Sequence, residues 1–341
     1  MAINASFFSS KELAVGVGLD ASNVGTAFAG TFTAIEADSV AFPTFNDLRV
    51  DRRGGSASGI MTATSDLFIH TPGSMIEVSI SGFLTDDLYH LLVSNALGTV
   101  FSTNVLSIAN AVTSNVTFEH NDSSVMNKTL TFAFNGVGGG ALDDCVAIPG
   151  CVITSLTLSG DPNEDGGRMK FDLTAQSRTP MTAGSTFGTA DNTMSSFSSA
   201  YVFLGDFSDH VKVHNADALL KSFSMTIDNP VVFGGFGGNG GTGAPQTYVR
   251  SVPEMAITIN PVVKYDTNFD GLWELTRQTT SLTTPAFSMA DNSTYTSGNR
   301  AIYASDATVT GLSWDEGDYL GLAIEMKVRG DADPSIYFKF A

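Results

Sequence analysis

Two stretches of the sequence set oxygen-bearing side chains at alternate positions ahead of a glycine. They are Asp161, Asn163 and Asp165 before Gly166, and Asp266, Asn268 and Asp270 before Gly271. Calcium takes such a set of oxygens in a loop whose twelfth position supplies a bidentate Glu. Here the twelfth positions hold Asp172 and Arg277, and Asp172 falls within a strand pattern. Turns and helix N-termini favour Asp and Asn without any ion. The six residues are therefore weak calcium candidates, and no metal or cofactor is expected.

A glycine-rich run that starts Gly234, Gly235, Phe236, Gly237, Gly238 has the backbone freedom of a phosphate cradle. It lacks the Gly-Lys-Ser/Thr ending that would supply the charge, so nucleotide binding is set aside in favour of a loop that orders on assembly. Arg52 and Arg53 open a second such loop with Gly54 and Gly55. A guanidinium pair there suits an ion pair with an acidic neighbour across an interface. Hydrolytic chemistry finds little footing. His70, His90, His120, His210 and His214 lie in no Gly-x-Ser-x-Gly or His-Glu-x-x-His context. His210 and His214 would share one face of a strand. The acid pairs Asp86-Asp87 and Asp143-Asp144 read as a helix start and a turn, and no enzyme is expected. Cys145 and Cys151 are too few for a disulfide framework. They read as reduced, partly buried thiols, with a hairpin disulfide as the open alternative.

The elements that must position these residues follow from composition and period. The chain has 341 residues, with 17 Lys+Arg against 35 Asp+Glu, a net charge of −18. That balance argues against gripping nucleic acid by its phosphates, which needs clustered Lys and Arg. Residues 43% hydrophobic supply a sizeable core. No apolar stretch is long enough for a membrane helix, so no membrane is expected, and the start at Met1 has no basic-then-apolar pattern of a secretion signal.

Alternation of apolar and polar residues recurs at 76–81, 156–159, 223–227, 256–260 and 324–328, with Gly, Asn, Asp and Pro between. This is the pattern of antiparallel strands with one wet face. Glu77, Asp172 and Glu325 sit at its polar positions. A helix is expected over 85–97, with Thr85 as N-cap, Asp86 and Asp87 in the first turn and Gly98 as the stop. A weaker helix is expected over 268–276. The fold class is therefore all-β with one or two short helices. Strand, glycine loop, strand, helix and closing hairpin occur twice in the same order. The first series uses 48–55, 75–81, 85–97 and the hairpin 152–175; the second uses 223–227, 255–260, 268–276 and the hairpin 309–328. Two tandem β-sandwich or barrel domains are expected, 1–178 and 210–341, joined by a Ser/Thr/Gly-rich linker or long loop at 179–209. The apolar C-terminus, 333–341, is expected to dock as an edge strand or on a neighbouring subunit.

In order and spacing these elements resemble the tail tube proteins of long-tailed bacteriophages, in particular the kind with a duplicated tube domain. The likeness rests on Leu19 to Ala27 as the segment before the first strand, and on the strand 75–81 with the helix ending Ala96-Leu97-Gly98. It rests also on Ile153 to Ser159 followed by Lys170 to Ala175, and on Leu220 to Pro230 as the opening of a second copy. The resemblance implies inner sheets that join in a ring, with three chains making a pseudo-hexameric ring, or six if the chain is not duplicated. Rings would stack into a tube that conducts DNA during ejection without holding it tightly. It implies tape-measure, tail-tip and terminator proteins as partners, a place in the virion tail, and synthesis in the bacterial host cytoplasm. Glu77, Asp172 and Glu325 become candidates for an acidic lumen. The two glycine loops, Arg52 to Gly55 and Gly234 to Gly238, become candidates for contacts between rings. Two other readings stand beside it: another virion β-protein, such as a capsid decoration or tail-tip component, and a calcium-dependent extracellular β-sandwich adhesin.

Overall fold

The structure, a computed structural model, describes residues 13–20, 28, 30–46, 49–51, 67–69, 75–98, 105–108, 129–136, 145–179, 181–183, 200–234, 247–250, 254–262, 286–296, 299–316, 320–329 and 336–339. Alternation sets the main strands. In β6 (Met75–Phe83) Ile76, Val78 and Ile80 are buried while Glu77, Ser79 and Ser81 stay partly exposed. The rest of the first half comprises β1 (Leu13–Leu19), β2 (Thr33–Ile35), β3 (Ala37–Asn46), β4 (Arg49–Asp51), β5 (Leu67–Ile69), α1 (Asp86–Leu97), β7 (Val105–Ile108), β8 (Leu130–Gly136), β9 (Cys145–Gly160), β10 (Lys170–Ser177) and β11 (Thr182–Ala183). The second half comprises β12 (His210–Val213), β13 (Ala216–Asp217), β14 (Leu220–Asp228), β15 (Val231–Gly234), β16 (Thr247–Arg250), β17 (Glu254–Pro261), β18 (Phe287–Ala290), β19 (Ala301–Ala304), β20 (Ala307–Glu316), β21 (Leu320–Val328) and β22 (Ile336–Lys339).

The protein is all-β, built of antiparallel sheets with a single α-helix among the described residues, and no described helix is long and apolar enough to cross a membrane. One continuous ladder runs β3-β6-β10-β9-β14-β17-β21-β20. One side of it is apolar. Leu156, Leu158, Leu173, Met225, Ile227, Ile257 and Ile324 there are all 0% exposed. Smaller sheets cover that side: β2-β1-β8 with the start of β9 and β11, and β13-β12-β18-β19-β22-β7. Phe223 of the ladder stacks on Phe287 of β18, centroids 5.6 Å apart, and most buried apolar side chains of both halves join one cluster.

The pairing scheme occurs twice. The β1–β2 hairpin has its counterpart in β12–β13, β3 in β14, and the small β4–β5 hairpin in β15–β16. Further on, β6 corresponds to β17, β8 to β18, and the start of β9 to β19. The rest of β9 corresponds to β20, β10 to β21 and β11 to β22. Two bulges fix the alignment residue by residue. The β3–β6 ladder skips one residue between Ala37 and Ser39, and β14–β17 skips one between Leu220 and Ser222. The hairpin ladders skip Thr154 and Thr310. Each of these bulged threonines donates its hydroxyl to a carbonyl on the facing strand, Thr154 to Thr174 O and Thr310 to Glu325 O. Both bulges give the same alignment, which makes Ile80 the counterpart of Ile259 and Leu173 that of Ile324.

Three sequence expectations change here. The counterpart of 223–227 is β3, whereas 48–55 contributes the stem of the small hairpin through β4. Leu19, read as preceding the first strand, ends β1 inside a sheet. The end of the expected linker is packed structure: Val202, Leu204 and Phe207 are buried, and Tyr201 and Phe203 bridge to Thr85 and Arg168. The C-terminal strand does dock, but between β19 and β7, with Ile336 and Phe338 fully buried. The second expected helix lies outside the described residues.

Helix α1 begins and ends where expected, with Gly98 in the left-handed region at φ 73° closing it. Thr85 opens it through its backbone, and its side chain makes no cap bond. The helix ties the halves together. Asn95 Oδ1 accepts the Ile153 N–H at 2.8 Å, and Asn229 Nδ2 donates to Ala96 O at 2.9 Å. Arg300 reaches back from the second half to Asp86 and Asp206, with its side chain 18% exposed. Tyr89 packs edge-on against Phe338.

Candidate functional site

The other side of the long ladder is open, and its residue types are set by the polar half of each alternation. Across it stand Ser79 and Ser81, Thr174 and Gln176, Ser155, Thr157 and Ser159, Ser222, Ser224 and Thr226, then Thr258 and Asn260. Neighbouring strands bond through these side chains. The Thr157 and Thr226 hydroxyls lie 3.0 Å apart, Ser155 Oγ donates to Asp228 at 2.6 Å, and Gln176 Nε2 donates to Glu77 at 3.2 Å. Such cross-strand pairs stabilise a sheet face that no other layer among the described residues covers.

The three acids singled out by alternation are on this face together. Glu77 faces Gln176, Asp172 faces Ser81 and Thr157, and Glu325 faces Thr258 and Gly311. Asp172 and Glu325 are exposed and Glu77 is half-buried. Asp228, Glu254 and Asp315 add to them; the same alternation in 223–228, 254–260 and 307–316 was the signal for these. The cations on the face are held by acids. Lys170 pairs with Asp38 and Asp165, Lys327 with Glu254, and Lys221 with Asp315 at 2.6 Å. The Lys221 hydrogen bond, helped by Asn260, lowers the Asp315 carboxyl below its ordinary range. The face therefore presents hydroxyls and carboxylates, with its ammonium groups already neutralised.

Other candidates are dispersed. Asp161, Asn163 and Asp165 form the turn between β9 and β10. The Asn163 N–H bonds Asp161 Oδ1 at 2.7 Å in an Asx turn, and Asp165 pairs with Lys170. Asp172, the twelfth position, points from β10 instead of closing that loop. No cluster of His, Cys, Asp or Glu suited to a metal occurs among the described residues. Asp266, Asn268 and Asp270 lie outside them, as do Arg52, Arg53, Gly54, Gly55, Gly235, Phe236, Gly237 and Gly238. Gly234 is the last residue of β15, paired with Thr247, so it belongs to the hairpin stem and not to the loop. That stem displays Val232 and Val249 opposite each other, 71% and 56% exposed. Because β3 and β14 run the same way in the ladder, both small hairpins rise from one end of it. His210 and His214 do not share a strand face: His210 opens β12, and His214 follows it with φ 44° in the adjoining turn. Cys151 is a free, fully buried thiol whose Sγ donates to Ile148 O.

One buried ionisable group escaped the sequence reading. Asp20 is 1% exposed, and its carboxylate accepts from the hydroxyls of Thr129 and Thr131 and from the Gly150 N–H at 3.1 Å. Burial raises its carboxyl to about 6 despite those donors. Gly150, at φ 72°, aims its N–H at Asp20 from a backbone position that favours glycine. No protein-family model and no curated protein matches the sequence.

Proposed function

We propose that the protein is a structural subunit of a tube, the tail tube of a long-tailed bacteriophage, and that the open ladder face lines its lumen. The observation that carries this reading is the doubled pairing scheme under one hydroxyl- and carboxylate-bearing face. The scheme reads as a tandem duplication of a tube domain, so three chains supply the six repeats of a ring. A conduit for DNA must not bind it. A wall of hydroxyls wets the lumen, and carboxylates repel phosphates so that the duplex meets no adhesive site. Contacts with the next ring would fall to the two small hairpins at one end of the ladder, one of which bears the exposed Val232 and Val249. Tape-measure, tail-tip and terminator proteins are the partners this role requires.

The test is absolute mass by light scattering on the purified chain, with negative-stain images of the same fraction. Stacked rings or hollow tubes with three chains per ring are the expected result. Six chains per ring would overturn the duplication, and a closed oligomer without a channel would overturn the tube.

A further inference from the structure

The long ladder ends in two strands that each use one side among the described residues: β3 pairs only β6, and β20 pairs only β21. Such edges invite another strand. Inside the chain the counterparts of these two edges already meet, because β9, the counterpart of β20, pairs antiparallel with β14, the counterpart of β3. We propose that β20 of one chain pairs with β3 of a second copy of this chain in the register of the internal β9–β14 joint. The inference rests on the tube reading for its occupant and adds which residues meet.

The two bulges translate the register. Inside the chain Thr157 faces Thr226, Leu156 faces Ile227 and Ser155 faces Asp228. At the same ladder positions of the two edges stand Ser313 and Thr44, Leu312 and Phe45, and Gly311 and Asn46. The hydroxyl pair and the apolar pair recur by residue type. Burial points the same way. Leu158, facing Met225 across the internal joint, is 0% exposed, whereas its counterpart Trp314, in the edge strand β20, is 41% exposed. A strand added at that edge would cover the indole. One feature of the joint differs from the template: β3 carries Phe42 and Pro43 where β14 has Met225 alone, so the intermolecular ladder bulges opposite Trp314. The two edges are different strands, so the contact runs head to tail, which builds rings instead of pairwise dimers.

Cysteine cross-linking tests this in a Cys145→Ala, Cys151→Ala background. Thr157→Cys with Thr226→Cys places the pair at the internal joint and serves as the geometric control, closing within the chain. Thr44→Cys with Ser313→Cys should lose its monomer band to covalent multimers on a non-reducing gel. Each single variant alone should remain monomeric on that gel, and a mixture of the two should give a covalent dimer and nothing larger. Phe45→Cys with Ser313→Cys, offset by one residue in a ladder whose side chains alternate, should not cross-link. A single variant that dimerises, or an offset pair that links as well as the matched one, overturns the register. Rings seen without the Thr44–Ser313 link also overturn the register while the tube reading stands. Linked rings that never stack keep the register and overturn the tube. A chain that stays monomeric and unlinked overturns both.

Discussion

Asp20 shows how a single side chain can set a pH dependence. Its carboxyl titrates at about 6 in the fold and at 3.8 in the unfolded chain. Below the lower value both states hold the proton. As pH rises through the higher value the folded state must ionise a buried group, and the stability gained from keeping it protonated is lost. Asp20→Asn has no such step. The stability of the natural chain relative to the Asn variant should therefore fall by about 2 kcal/mol between about pH 4 and about pH 7. Urea midpoints at the two pH values would check this, and a constant difference would show that Asp20 does not titrate there. Nothing in the sequence marked Asp20, because its partners Thr129, Thr131 and Gly150 are more than a hundred residues away and none forms a motif with it.

At the scale of elements, α1 was legible from its first acids to its glycine stop, because caps and dipole preferences are local. Its tertiary role was not. Asn95 lies in the last turn of the helix, where its side chain would be read as a weak helix former, yet it satisfies a buried N–H at Ile153 of β9. Asn95→Ala removes that acceptor and should cost about 2 kcal/mol of unfolding free energy. Ser94→Ala, whose hydroxyl bonds the Leu91 carbonyl one turn back, serves as the control and should change little. Equal losses in the two variants would mean the helix itself, not its joint with β9, is being measured. The misplaced counterpart of β14 is equally instructive. β3 carries bulges at Ala37/Ser39 and at Ala41/Thr44, the second over Pro43, and each bulge breaks the period of two by which strands are recognised. The segment 48–55, next in line, took its place in the sequence reading.

For the whole molecule the deciding property is the sign of charge on the open face. Glu77, Asp172 and Glu325 come from three strands of both halves, and the ladder sets them on one surface. With Glu77→Lys, Asp172→Lys and Glu325→Lys combined, the face changes by six charges per chain. Duplex DNA should then bind, with an affinity that falls steeply as salt is raised, while the natural chain shows no binding under the same conditions. Fluorescence anisotropy of labelled duplex across a salt series would check it. Natural protein that binds as well as the triple variant would remove the argument for a repelling lumen. Assembly of the variant, followed by light scattering, separates a charge effect from a folding failure.

By itself the sequence determined the all-β class, the polar and apolar faces of the regular strands, and the helix with its ends. All of these are carried by neighbours within a few residues, where alternation, capping and turn preference act directly. Only the tertiary structure decided which strands pair, that the two halves share one ladder and one core, that the segment leading into β12 is packed, and that Arg300 joins Asp86 to Asp206. The physical reason is that a strand's backbone groups can satisfy any partner. Partner and register are chosen by the burial of side chains distant in sequence and by bulges such as those at Thr154 and Thr310, which leave no local mark in residue order.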